Sequence, residues 1–213
     1  WGTAEPGTAV TVALADQSQE AVAGDDGKWL CSLPGLPAGG PHALTVTGPS
    51  EIILKDILMG DVWLCSGQSN MGWRGNSSNN AKQEIADAKW PQIRLFSVKL
   101  TTKQTLQDAV VGAWSVCSPE TVGNFSAVGY FFGRDLHKDI DVPIGLINSS
   151  WGGTPAEAWT SYESLAANAE LSPITDRFAK GLENYEERAA NYLAAKKAWE
   201  EREKEVKKLD KTE

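Results

Sequence analysis

The stretch Asp61–Trp73, DVWLCSGQSNMGW, limits the fold more than any other part of the chain. Val62 to Cys65 form a short unbroken apolar run that passes with no spacer into Ser66, Gly67, Gln68, Ser69 and Asn70. Apolar character without alternation suits a strand covered on both faces, as in a parallel sheet between helices. In open sheets of that kind, ligands bind beyond the carboxyl ends of the strands. The small polar residues after Cys65 fall at such an end.

The surrounding sequence repeats the pattern. QIRLFSV (92–98) and VPIGLINSS (142–150) read as further strands, and 81–90 as a short helix. Between them Val128, Phe131, Phe132 and Leu136 recur at helical spacing over 126–138. Strands alternating with helices predict an α/β domain with a parallel, helix-covered sheet. CSGQSN and NSSWGGT then share one edge of that sheet.

Residues 1–57 have a different character. AVTVALA (9–15) alternates, GDDGKWLCSL (24–33) carries an Asp-Gly turn before a strand, and 33–48 and 50–60 supply two more. Four or five short strands with such turns predict a small β-sandwich module, whose first strand is expected to be missing because the chain opens abruptly at Trp1. The α/β part is assigned to 58–172. Residues 173–213 are assigned to a long charged helix inserted into it. Phe178, Leu182, Tyr185, Ala189, Tyr192, Trp199 and Val206 follow a three-four spacing, interrupted by Lys196 and Glu203. That stripe suits a solvated arm, half of a helical hairpin or a partner-binding coiled-coil strand, expected to run from 175 to 212.

Charge separates these parts. The formal net charge is −8, yet residues 176–213 carry ten acidic and ten basic side chains, so the excess lies wholly in residues 1–175. An acidic chain is a poor ligand for nucleic acid or anionic lipid, and no apolar run approaches the roughly 20 residues of a membrane helix. Nine Trp residues suit either a packed β core or platforms for sugar rings. Cys31, Cys65 and Cys117 lack metal-ligand spacing; one disulfide with a free thiol, or three free thiols, both fit. No metal or cofactor is implied.

Two hydroxyls compete for a chemical role. Ser66 sits one residue past the apolar run and suits local backbone bonding. Ser69 follows Gly67, which permits a tight turn, and lies in a loop that can feed a helix N-terminus. Position therefore favours Ser69. Met71 stands where a G-x-S-x-G elbow has its second glycine, so the motif is not that elbow. In NSSWGGTPAEAW (148–159), Gly152 and Gly153 let backbone N–H groups approach a ligand, as an oxyanion hole requires, and Thr154, Pro155 and Glu157 are spaced to cap a helix. A serine needs a positioned base. The two histidines, His42 and His137, lie in a Pro/Gly-rich loop and near the end of the 126–138 helix, and neither is placed for that task.

Together, GDVWLCSGQSNMGW, FSAVGYFFGRDLHKDIDVPIGLINSSWGGTPAEAW and DDGKWLCSLPGLPAGGPHALTVTG resemble the sialate O-acetylesterase family of SGNH-like serine esterases, from residue 1 to about 162. The resemblance implies a flavodoxin-like sheet, here incomplete, with Ser69 as nucleophile. It implies that the Ser69 amide and a glycine of WGGT, Gly153 ahead of Gly152, form the oxyanion hole, with Gln68 and Asn70 on the oxyanion and substrate side. It implies an O-acetylated sugar substrate and a secreted, periplasmic or lysosome-like setting. The family's third oxyanion donor, in a W-x-Q-G-E-S block, and its Asp-x-x-His-type base block do not occur in these 213 residues. The chain is therefore expected to be an N-terminal piece of the enzyme and nearly inert alone.

Three other readings remain open: an acetyl xylan esterase-type polysaccharide deacetylase, a non-catalytic carbohydrate-binding protein, and an assembly fragment joined through its helix.

Overall fold

The computed structural model describes residues 1–103 and 105–209. The amino-terminal residues form two antiparallel sheets. Strands β1 (Gly2–Thr3) and β4 (Lys28–Trp29) make a two-stranded ribbon. Strands β2 (Ala9–Leu14), β3 (Gln17–Val22), β5 (Gly39–Thr47) and β6 (Glu51–Met59) make the other sheet in the order β3-β2-β5-β6. The alternation read in β2 is realised, since Val10, Val12 and Leu14 are buried. The strand after the Asp-Gly turn stops at Trp29, ahead of Pro34 and Pro37, which cannot donate to a ladder.

The α/β part follows without a break. It comprises β7 (Asp61–Gly67), α1 (Ala81–Ala86), β8 (Trp90–Ser97), β9 (Trp114–Cys117), α2 (Pro119–Val122), α3 (Ala127–Ile140) and β10 (Ile144–Ser150). Strand order is β7-β10-β8-β9, with β10 parallel to both neighbours and β9 antiparallel at the edge. The two inner strands supply the core: Ile144 and Leu146 of β10 are buried, together with Ile93 and Leu95 of β8. Helix α3 packs on one face. It comes close because its contact positions are Gly129, where a Cβ would meet Cys65 Sγ at 3.0 Å, and Gly133, where it would meet Leu146 Cδ1 at 2.7 Å.

One expectation fails here. The 61–65 strand is not covered on both faces, as Val62 and Leu64 are 62% and 67% exposed. Side chains alternate along β7. Trp63 and Cys65 turn toward α3, where Trp63 meets Phe132 edge-on at 5.0 Å. Val62 instead joins Ile53, Leu54 and Trp114 along an open groove of about 610 Å³ between β6 and the sheet. An unbroken apolar run shows that both faces want cover. It does not show that this chain supplies it.

The chain divides into two units, Trp1–Gly153 and Thr154–Glu213. The second contains a 3₁₀ turn at Ala156–Trp159, α4 (Tyr162–Ala166), a second 3₁₀ turn at Ala169–Leu171, α5 (Ser172–Leu182) and α6 (Tyr185–Leu209). Two corrections follow. Thr154 does not cap a helix; its hydroxyl accepts from Trp159 Nε1 at 2.7 Å, and Pro155 takes the N-cap position of the 3₁₀ turn. The single helix expected over 175–212 is two. Glu183 is extended and Asn184 left-handed at φ 57°, a conformation Asn tolerates better than most side chains. The Gly181 carbonyl freed by the break accepts from the Arg188 guanidinium. Residues 210–212 of the expected helix lie outside the described residues. The three cysteines are free thiols.

Candidate active site

Strand β7 ends where Gly67 takes φ +137°, a conformation that resists a Cβ. The chain then closes a turn: Gly72 N donates to Gln68 O at 2.9 Å, and Trp73 N to Asn70 O at 3.3 Å. Ser69 is exposed on this turn. No helix starts directly behind it, contrary to the expectation that its loop feeds one; Arg74 bridges to Ser126 and a 3₁₀ turn follows at Gly75–Ser77.

The turn is held from behind by α3. Ser126 caps that helix, its Oγ accepting from Gly129 N at 3.0 Å while lying 3.4 Å from Met71 Sδ, to which it donates. Ala127 N donates to Trp73 O at 2.7 Å. Met71 packs against the buried core. The residue that departs from a glycine elbow is thus the plug that seats the turn.

The second glycine-rich loop arrives from β10. The register pairs Ile144 with Asp61 and Ser150 with Gly67, so both strands end level. Trp151 N then donates to Gly67 O at 3.0 Å, which fastens the loop to the turn. One residue on, a Cβ at Gly152 would lie 3.4 Å from Ser69 Cβ and 3.7 Å from Ser69 N. Gly153 is left-handed at φ +80°, with open space where a Cβ would be. Ser69, Gln68, Asn70 and Gly152 are thereby brought together, with Gly153 next in the chain. Ser66 lies elsewhere, inside β7 opposite Ser149.

Neither histidine approaches this cluster. His137 Nδ1 lies 2.8 Å from Val142 O, just before β10 begins, and its ring meets Trp90 edge-on at 5.9 Å. His42 pairs with Ile57, just before β7 begins. Both are at the amino ends of strands whose carboxyl ends carry Ser69, a strand of seven residues away, or about 20 Å. Among the described residues the Ser69 hydroxyl has no hydrogen-bond partner.

Cys65, four residues before Ser69, is 4% exposed among Ile93, Leu146 and Tyr130, and burial pushes its thiol pKa up. It packs the sheet beneath the turn and is held as the neutral thiol. The sequence pointed to the two glycine-bearing loops. It gave no sign of the Met71–Ser126 contact, or of the Trp151 N–H that ties one loop to the other. Both are pairings between distant segments.

Fold and site together define an α/β protein with a serine turn and a glycine loop meeting at the carboxyl ends of two adjacent parallel strands. Residues 59–204 match the family model described as carbohydrate esterase, sialic acid-specific acetylesterase, and the chain belongs to that family. It is 40% identical over 188 residues to the sialate O-acetylesterase of Homo sapiens, covering 78% of this chain and 36% of that protein. The Rattus norvegicus protein of the same name is 39% identical over 188 residues, covering 78% and 34%. The crystal structure of a carbohydrate acetylesterase from Xanthomonas citri matches with a TM-score of 0.76 at 38% identity, covering 79% of this chain and 39% of that one. The chain thus spans little more than a third of the length of these relatives.

Proposed function

We propose that Ser69 is the nucleophile of a serine esterase that removes O-acetyl groups from sialic acid or other acetylated sugars. The observation that carries this reading is the contact of Gly152 with Ser69 at the level ends of β7 and β10. The names of the relatives, sialate O-acetylesterase and carbohydrate acetylesterase, support the substrate class.

The chemistry runs in two steps. Ser69 Oγ attacks the acetyl carbonyl while its proton passes to a base; the tetrahedral oxyanion collapses, the sugar hydroxyl leaves with a proton, and acetyl-Ser69 remains. Water then attacks that ester, releasing acetate and regenerating the hydroxyl. The Ser69 amide and a glycine amide of the loop, Gly153 or the Gly152 that lies beside Ser69, supply N–H donors to the oxyanion. His42 and His137 lie toward the amino ends of the strands, so neither is placed to take the Ser69 proton.

The sheet is read as part of an SGNH-like one. Its parallel strands lie in the order β7-β10-β8, so the third in the chain stands between the first and second, which differs from the flavodoxin order 2-1-3. Hydrolysis of an O-acetylated sialic acid tests the function: the enzyme releases acetate, Ser69→Ala abolishes release, and Ser66→Ala retains most of it. Equal losses in both variants would refute the assignment of Ser69.

A further inference from the structure

We propose that Trp73 is the sugar-recognition wall of this site, its indole face stacking on the pyranose ring that carries the acetyl ester; the inference rests on the esterase reading and names how that site holds its substrate. Trp73 is 55% exposed, although a side chain so large and apolar is usually withdrawn from water. It stands four residues after Ser69, across the turn closed by Gly72 N and Gln68 O.

The exposed ring is also fixed. Its Nε1–H donates to Ser77 O at 2.9 Å. Its amide donates to Asn70 O and its carbonyl accepts from Ala127 N at the start of α3. The indole bond holds the ring, and the two backbone bonds hold the residue that carries it. With the one polar atom of the indole satisfied internally, the exposed remainder of the ring is apolar, and an indole face carries a negative potential. The C–H groups on one side of a pyranose ring match such a plane in shape and polarity. The ring's small entropy cost on binding follows from its being immobilised already.

The test uses protein labelled with ¹⁵N at tryptophan, in the Ser69→Ala background so that the ester survives, titrated with O-acetylated N-acetylneuraminic acid and, as a control, with sodium acetate. The Trp73 indole resonance, assigned by its disappearance in Trp73→Phe, shifts saturably with the sugar and not with acetate. Trp73→Ala weakens the apparent Kd by about tenfold, and Trp73→Phe, which keeps a ring, by about threefold. An unshifted indole resonance at sugar concentrations approaching the solubility limit overturns the proposal, as does equal affinity of Trp73→Ala and the parent with far-UV circular dichroism intact. Sugar binding through Trp73 without any Ser69-dependent hydrolysis upholds this inference while removing the esterase reading. Hydrolysis indifferent to Trp73→Ala does the reverse.

Discussion

Gly152 lies against Ser69 so closely that a Cβ added to the glycine would sit 3.4 Å from the serine Cβ. That distance is ordinary van der Waals contact, so Gly152→Ala folds with the serine in place and keeps kcat/KM within about threefold. The added methyl groups of Gly152→Val go beyond that contact, displace the serine and lower kcat/KM by about a hundredfold. Acetate release from the sugar ester, measured beside circular dichroism, checks both. Undiminished turnover in Gly152→Val would remove the glycine loop from the site.

Met71 seats the serine turn on the core through its contact with Ser126. Truncation in Met71→Ala costs about 1–2 kcal/mol, below the range for a fully buried methionine because Met71 is only partly buried. Met71→Leu, nearly equal in volume, costs less than about 1.5 kcal/mol. Urea unfolding followed by fluorescence reads both. The alanine variant is expected to lose more activity than its stability loss explains, since the turn that carries Ser69 loosens first.

Helix α3 meets the central strand at Gly133, where a Cβ would come within 2.7–2.8 Å of both terminal methyl groups of Leu146, a residue fully buried in the sheet. Gly133→Ala therefore overpacks the core and destabilises by about 1–3 kcal/mol, despite the better helix propensity of alanine. The pair Gly133→Ala with Leu146→Val recovers part of that loss. Thermal unfolding of the two variants decides whether the close approach is real.

Burial raises the thiol of Cys117 from its ordinary 9.0 to about 12, and raises Cys65 in the same direction. A group whose pKa is higher folded than unfolded stabilises fully below its unfolded value and loses that contribution as pH climbs to the folded value. Stability is accordingly expected to fall between about pH 9 and pH 12. Native protein at pH 8 exposes Cys31, half-buried, to a thiol reagent while Cys65 and Cys117 stay protected. One thiol titrates promptly, and all three after unfolding.

Legibility in the sequence followed the range of the interaction. Gly67, the alternating Val10, Val12 and Leu14, and the spacing of α3 act within a few residues, so the strand end, the β sheet and the helix could all be read locally. The break at Asn184 could not. Its three-four stripe continues straight through, and only the non-helical backbone at Glu183 and Asn184 divides α5 from α6. Thr154 carried a plausible capping pattern, but its hydroxyl went to the Trp159 indole instead. The open face of β7 was misjudged for another reason. Val62 and Leu64 state an apolar preference that the residues present leave unmet. At the site, GQSN and WGGT were visible as motifs, whereas the Trp151–Gly67 bond that ties their two loops together was not.

The most direct trial is to identify the residue acetylated during turnover. Acid quenching of a preparation hydrolysing p-nitrophenyl acetate, then peptide mass spectrometry, should find the acetyl group on Ser69, still there in Ser66→Ala and gone in Ser69→Ala. An acetyl group found on Ser66, or steady hydrolysis by Ser69→Ala, would contradict the account.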